Sequence, residues 1–552
     1  MNARIYSCLL KELRIFFFFL LFFFPFGVSA NNIQIKEPAR VISVSGGYAT
    51  IEVRLAWENS WRDAENWDAA YLFLKYRTGS GSWTHIPVQL AGNIISSPYT
   101  YMTATPNQTT APGLFIYRDN LGAGNPNVVC KIRWKTNFRQ EQFDNGEVQL
   151  LAQAIEMVFV PAGPYVLGDS LSANCFADSY GKPITVRTES SNITLGYKDE
   201  GGVYQKVTVA SSYPKGFQGF YIMKYEVTQE QYVVFLNSLT LNQQKALLSN
   251  WGQLKEGDYI FGEPFQVNNR NGIVVAYQFS GDEPMVFANN FNSQNGYNEF
   301  DDGQMLACNF MSINDLLAYS SWAGLRPMSE MEFEKACRPV GISSLVKGGY
   351  AWNGGMGTSQ KAQGITAIGS EQEAITLGNV NFRNGVEGPL RSGIFAAVDD
   401  DQQAAGATHW GVMEMSGNVR ELCRNVNDWY FYWNRHGDGI YNPGLWSTNL
   451  LYYGVRGGGF TSSVEEICVS DRSVREYFSL HSVSYRDSTV GFRAVRTFEL
   501  GAIDLNPGSI SALAQVCPNV EVTIESKDSA FVTGMNNLPI QYEWYLNSIK
   551  LE

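Results

Sequence analysis

Residues 409–425, HWGVMEMSGNVRELCRN, decide how the rest of the chain is read. Gly411 and Gly417 permit tight backbone. Glu414, Ser416, Asn418 and Glu421 bring side-chain oxygens together over a short span, and Met413, Met415, Val419 and Leu422 interleave as core candidates. Oxygen ligands this close suit a hard cation such as calcium, with backbone carbonyls filling the remaining positions. The same residues suit a polar turn whose Asn and Glu side chains cap a neighbouring strand or helix. Spacing alone leaves both open.

The chain around this stretch is long and sparsely charged. Its 552 residues exceed one ordinary core, so roughly two to four domains are expected. Charged residues make up 17% and aromatic residues 14%, with 52 glycines, which suits a β- and loop-heavy extracellular protein. A net charge of −12 with no basic tract excludes a nucleic-acid backbone as partner. Asp399-Asp400-Asp401, the longest acidic run, reads as a solvated loop.

Lys11 and Arg14 precede an apolar run, FFFFLLFFFPFG, and then Val28-Ser29-Ala30. This is the pattern of a signal peptide (1–30) cleaved after Ala30, so the protein is expected to be secreted or held at the cell surface. No later run is long and apolar enough to span a bilayer. Beyond Ala30 lie Cys130, Cys175, Cys308, Cys337, Cys423, Cys468 and Cys517, whose spacing identifies no disulfide pairs. His85, His409, His436 and His481 do not cluster, and no zinc spacing occurs.

From 31 to 149 the pattern is an antiparallel β-sandwich. Ile51, Val53, Leu55 and Trp57 share one face, and Val128, Cys130, Ile132 and Trp134 repeat the alternation. AAYLFLKYR is a more continuous strand, and the loop Asp63–Asp68 reads as a solvated turn beside buried tryptophans. Residues 150–498 read as a central α+β domain with much irregular structure. Helices are expected after Thr228/Gln231, Ser312/Asp315 and Ser329/Glu332, each with capping-box or N-cap spacing; Gly324 ends the second. Residues 174–218 read as loop and short hairpins, 240–305 as irregular, and 340–408 as loop-like. Residues 499–552 read as a linker and a partial Ig-like β segment, since NVEVTIES and IQYEWYLN alternate but about seven strands are needed to close that fold.

Six pieces in order resemble the sulfatase-modifying factor, or formylglycine-generating enzyme, family. They are MVFVPAG (157–163), KYEVTQEQYVVFL (224–236), SWAGLRPMSEMEFEKACR (321–338), GVMEMSGNVREL (411–422), VRGGGF (455–460) and GFRAVR (491–496). The resemblance implies a C-type-lectin-like fold, and the setting resembles secreted multidomain proteins of Bacteroidetes-type bacteria. It also implies calcium at the opening stretch, held by Glu414 and Glu421 through side chains and by Gly417 and Val419 through carbonyls. A second family calcium site would fall at Asn379 and Val380, but the Asp it uses is missing from GPLRSG.

Catalysis is where the chain departs from the family. The family's two copper cysteines would fall at Ser462 and Ile467, with Cys468 one place off. Copper(I) needs soft thiolates, so copper is not expected. No GxSxG elbow, HExxH or P-loop occurs. Arg493 and Arg496 read as ties to buried carboxylates. The expected function is a non-catalytic binding or scaffold module, stabilised by calcium, with a protein or glycan partner at the cell surface. The alternative is an oxygen-dependent oxidase of a substrate cysteine, in which Cys468 meets Cys423 across the fold.

Overall fold

The computed structural model describes residues 29–498, apart from 31–32, 105–107, 199–202, 280–282, 340–344, 397–400, 429–436 and 475–476, together with four two-residue strands between 505 and 550. The targeting segment up to Val28, Asp399, Asp400, His436, Cys517 and nearly all of the partial Ig-like segment lie outside the described residues.

The main strands of the first part are β1 (Ile33–Ser45), β2 (Tyr48–Ala56), β3 (Asp68–Thr78), β4 (Leu114–Arg118), β5 (Asn127–Lys135) and β6 (Val148–Val160). In β2 the residues Ala49, Ile51, Val53 and Leu55 are buried, and β5 buries Val128, Cys130, Ile132 and Trp134, as the period of two requires. One antiparallel sheet runs β1-β2-β5 and continues into short strands. Its inner face shares a core with Leu72 and Leu74 of β3 and Ile116 of β4, which belong to a second sheet. The other face of β3 places Tyr71 and Phe73 in the largest core of the protein. Burial on both faces is why β3 lacks alternation.

The second sheet passes through β6 into the rest of the chain. β6 pairs antiparallel with β3 from Val148↔Thr78 to Val158↔Asp68. Its end, Met157–Val160, also pairs with β7 (Phe220–Met223). The boundary drawn at 149 therefore falls inside one strand that ties the two halves together.

Among the described residues, four α-helices follow β7: α1 (Gln229–Asn237), α2 (Leu241–Leu247), α3 (Ile313–Ala323) and α4 (Glu330–Cys337). α1, α3 and α4 start at Thr228, Ser312 and Ser329, and each has a complete capping box. Gly324 ends α3 in the left-handed conformation, φ 75°. Residues 240–305 are more regular than their composition suggests. α2 is capped by Thr240, and strands Ile273–Tyr277 and Val286–Asn289 form a hairpin. The loop 63–68 also departs from expectation. Asp63 and Glu65 are exposed, but Asp68 is fully buried and accepts from Trp57 Nε1, Ser60 Oγ and the Trp61 amide at 2.9, 2.8 and 2.9 Å. A carboxylate satisfied by three donors can be buried.

The last strands before residue 499 are β8 (Arg420–Arg424), β9 (Tyr453–Arg456), β10 (Val490–Gly491) and β11 (Ala494–Thr497). β8 pairs antiparallel with β9 and parallel with β10. β11 joins the second sheet beside β7. The stretch 409–425 thus runs from a turn into the centre of a small sheet. No helix among the described residues is long and apolar enough to cross a membrane.

Candidate functional site

The turn before β8 is built on left-handed backbone. Gly411, Glu414, Gly417 and Asn418 have φ of 85°, 53°, 83° and 62°. Gly417 has a second constraint. A Cβ there would meet Val380 Cγ2 at 2.5 Å and the Asn381 carbonyl at 2.6 Å. The Asn381 carbonyl in turn accepts from the Asn418 amide at 2.9 Å. The segment 379–381 and the turn are therefore in direct contact, though they are far apart in sequence.

Three buried carboxylates converge behind this turn. Glu226, which follows β7, accepts from Asn418 Nδ2 at 2.5 Å and from the Val419 amide at 3.2 Å. Glu421 is held by Arg493, Nε to Oε2 at 2.7 Å and Nη2 to Oε1 at 2.8 Å. Arg493 also donates to the carbonyls of Met223, Lys224 and Met413. Glu414 accepts from the Gly393 amide through Oε1 at 2.9 Å, while its buried Oε2 has no hydrogen-bond partner; nor has Ser392 Oγ, next to Gly393.

The charges of this cluster do not balance. Burial raises all three carboxyls, Glu414 to about 7 and Glu226 well above the usual range; Arg493 opposes the rise in each. Glu421 and Glu414 also repel Glu226. Three carboxylates against Arg493, with Arg391 acting on Glu414 alone, leave an excess of negative charge if all ionise. Protons or a cation must neutralise it.

Of the expected calcium residues, Glu414 and Glu421 are buried within electrostatic reach of each other and of Arg493, Gly417 and Val419 belong to the chain between them, and Glu421 is already engaged by Arg493. Glu226 was not singled out in the sequence, and its only signal was its place in KYEVTQ. Val380 is in the core against Gly417. The Asn379 side chain accepts from the Gln360 amide at 2.8 Å and donates to the Gln403 carbonyl at 2.8 Å. Arg496 donates to the Gly324 and Gly437 carbonyls.

Ser462 and Ile467, where the resemblance puts the copper cysteines, make a hydrogen bond and core contacts respectively. Ser462 Oγ accepts from the Gly459 amide at 3.0 Å. Ile467 is fully buried in a core with Val380 and Met415, and its carbonyl accepts from Ser416 Oγ at 2.8 Å. Cys468 Sγ donates to the Gly348 carbonyl at 3.3 Å, and Cys423 Sγ to the Gly454 carbonyl at 3.7 Å. Burial raises both thiols, Cys468 to about 12.

Beside this segment lies a second buried network. Glu330 of α4 binds Arg456 Nη1 at 3.0 Å and Arg472 Nε at 2.7 Å. Glu334 binds Arg456 Nη2 at 2.7 Å and Arg338 Nη2 at 3.3 Å, and accepts from Ser470 Oγ and the Gly168 amide. Two carboxylates and three guanidiniums thus join α4, β9 and the chain after it.

A family model described as the sulfatase-modifying factor enzyme 1-like domain matches residues 145–498. No curated protein matches the chain.

Proposed function

The chain belongs to the sulfatase-modifying factor enzyme 1-like family through residues 145–498, and from that premise we propose a secreted or cell-surface, non-catalytic binding and scaffold module. Ser462 and Ile467 carry this reading. They stand where the resemblance puts the copper cysteines, and a hydroxyl and a buried hydrocarbon give copper(I) no thiolate. The oxidase alternative needs Cys468 and Cys423 to face one cleft, whereas their sulfurs donate to carbonyls of different segments. The partner is a protein or a glycan at the cell surface, met by the loops that dominate the domain, and not nucleic acid.

Calcium is proposed as an internal tie rather than a reagent. The orphaned Oε2 of Glu414 and the surplus of buried carboxylate support it. Glu414 and the carbonyls of Gly417 and Val419 would hold the ion, and Glu421 would join only by sharing its carboxylate with Arg493. Calcium would supply positive charge where protons otherwise supply it. Asn379 is engaged at both ends of its amide, so nothing there favours a second ion.

Competition for copper(I) between the full chain and a chromogenic chelator tests the reading. The chelator is expected to keep the metal. Stoichiometric binding tight enough to strip it would overturn the non-catalytic assignment.

A further inference from the structure

One face of the second sheet carries three charged groups on adjacent strands. Asp68 opens β3, Glu156 lies within β6 and Lys224 follows β7. The register brings them together. Asp68 is opposite Val158 and Ala70 is opposite Glu156, and side chains two residues apart on a strand point the same way, so Asp68 and Glu156 are diagonal neighbours on one face. On the other side of β6, Met157 is opposite Met223, which makes Glu156 and Lys224 the next cross-strand pair; the Lys224 amide donates to the Glu156 carbonyl at 3.0 Å. Lys224 Nζ reaches Glu156 Oε2 at 3.1 Å. The approach lacks hydrogen-bond alignment, and Oε2 has no hydrogen-bond partner.

Water is kept from this group. Asp68 is fully buried, Glu156 is 2% exposed and Lys224 7%. The rings of Trp61 and Tyr225 lie 5.3 and 5.2 Å from Lys224 Nζ. Burial raises the Glu156 carboxyl to about 7, although Lys224 opposes the rise. Burial also works against the charge of Lys224, which Glu156 sustains, and Asp68 is within electrostatic reach of both. A buried ion pair carries a desolvation cost that its own attraction offsets only in part. An amide in its place carries no charge.

We propose that Lys224 and Glu156 condense to an isopeptide bond that staples β6 to the chain after β7. Within the pair the ammonium passes one proton to the carboxylate. The free amine then attacks Cδ of Glu156: the Nζ–Cδ bond forms and one Cδ–O bond breaks. That oxygen leaves as water with two of the three ammonium protons, and the third stays on the amide nitrogen. No electrons are exchanged and no co-reactant is consumed. The Asp68 carboxylate, fixed by Trp57 Nε1, Ser60 Oγ and the Trp61 amide, favours the positive charge that develops on the attacking nitrogen, which makes it a positioning residue. The bond closes the chain from 156 to 224 into a ring. Its anchor is the residue whose carbonyl accepts from the Met413 amide at 2.9 Å and from Arg493 Nη1 at 3.0 Å, so the staple also fastens the support of the 409–425 turn. The condensation is independent of the binding and scaffold role proposed above.

The test uses the full chain, unfolded in denaturant, reduced, alkylated, digested with trypsin and read by mass spectrometry. A branched peptide joined through Glu156 and Lys224 is expected, lighter than its two parts by one water and uncut after Lys224. Linear peptides cut after Lys224, with Glu156 free, overturn the proposal, as does a bond from Lys224 to Asp68 or to any other carboxyl. Lys224→Arg keeps the charge and removes the nucleophile, so it should yield linear peptides alone. Asp68→Asn keeps an acceptor for Trp57 and should lower the joined fraction in freshly made protein with the wild-type circular dichroism spectrum. An unchanged fraction would remove Asp68 from the mechanism. The wild-type peptide map decides on its own if the variants do not fold. Its failure counts against the staple and leaves the copper(I) competition, and the reading it tests, untouched.

Discussion

Arg493 grips Glu421 with both prongs of its guanidinium, at 2.7 and 2.8 Å, and neither side chain is more than 1% exposed. The pair joins the strand that leaves the 409–425 turn to the chain just before β11, and the same guanidinium reaches the carbonyls of Met223, Lys224 and Met413. One residue thereby fastens three segments around the turn.

Arg493→Met should destabilise the protein by about 3–5 kcal/mol, because it leaves a buried carboxylate and three carbonyls without their donor. Urea denaturation followed by tryptophan fluorescence measures this. Arg493→Lys should recover only part of the loss, since an ammonium cannot span both oxygens of Glu421 and the carbonyls at once. Recovery of full stability by lysine would show that charge alone matters.

Glu414 predicts a pH dependence with a definite sign. Its folded carboxyl sits at about 7, above the ordinary 4.5, so the native state holds its proton more tightly than the unfolded state. That contribution is lost as pH rises through this window: stability without calcium should fall between about pH 4.5 and 7. Glu414→Gln keeps an acceptor for the Gly393 amide and removes the titration. The urea midpoint of wild type minus that of the variant should decline from pH 5 to 8 in chelator. Calcium should lift the wild type at pH 8 and leave the variant nearly unmoved. Equal lifting of both would place the ion elsewhere.

Much of the local structure was legible. The capping residues of α1, α3 and α4 act within three positions, and the alternation in β2 and β5 reports burial directly. The cluster at the turn was only half legible. Glu414 and Glu421 are close in sequence, but Glu226 meets Asn418 across 192 residues and Arg493 meets Glu421 across 72. No periodicity encodes such a meeting. α4 shows the limit most plainly. Its charged run, EMEFEK, has the composition of a solvated helix, yet Glu330, Glu332 and Glu334 are all buried: Arg456 and Arg472 reach Glu330 and Glu334 from distant segments, and Arg326, just before the helix, holds Glu332.

The α4 network makes a prediction of its own. Glu330→Gln removes the carboxylate shared by Arg456 and Arg472, two guanidiniums at most 2% exposed. Arg472 would then lose the Glu330 carboxylate, and Arg456 would keep only Glu334, which it already shares with Arg338. The expected loss is about 3–5 kcal/mol. Glu371→Gln, on an exposed turn, should change stability by less than about 0.5 kcal/mol and serves as the control. Comparable losses for the two would mean that the network contributes little.

Gly417 separates two costs that usually arrive together. Its φ of 83° disfavours any side chain, by roughly 1–2 kcal/mol, and a Cβ would also overlap Val380 and the Asn381 carbonyl. Gly357 has a comparable φ of 98° but nothing within 4 Å of the same point. Gly357→Ala should therefore show the backbone cost alone. Gly417→Ala should exceed it by at least about 1 kcal/mol, because the 379–381 segment must move off the turn. Val380→Ala, added to Gly417→Ala, should recover part of that excess, since it removes the Cγ2 methyl that the new Cβ meets at 2.5 Å. A double variant no better than the sum of the singles would locate the strain in the Asn381 carbonyl instead.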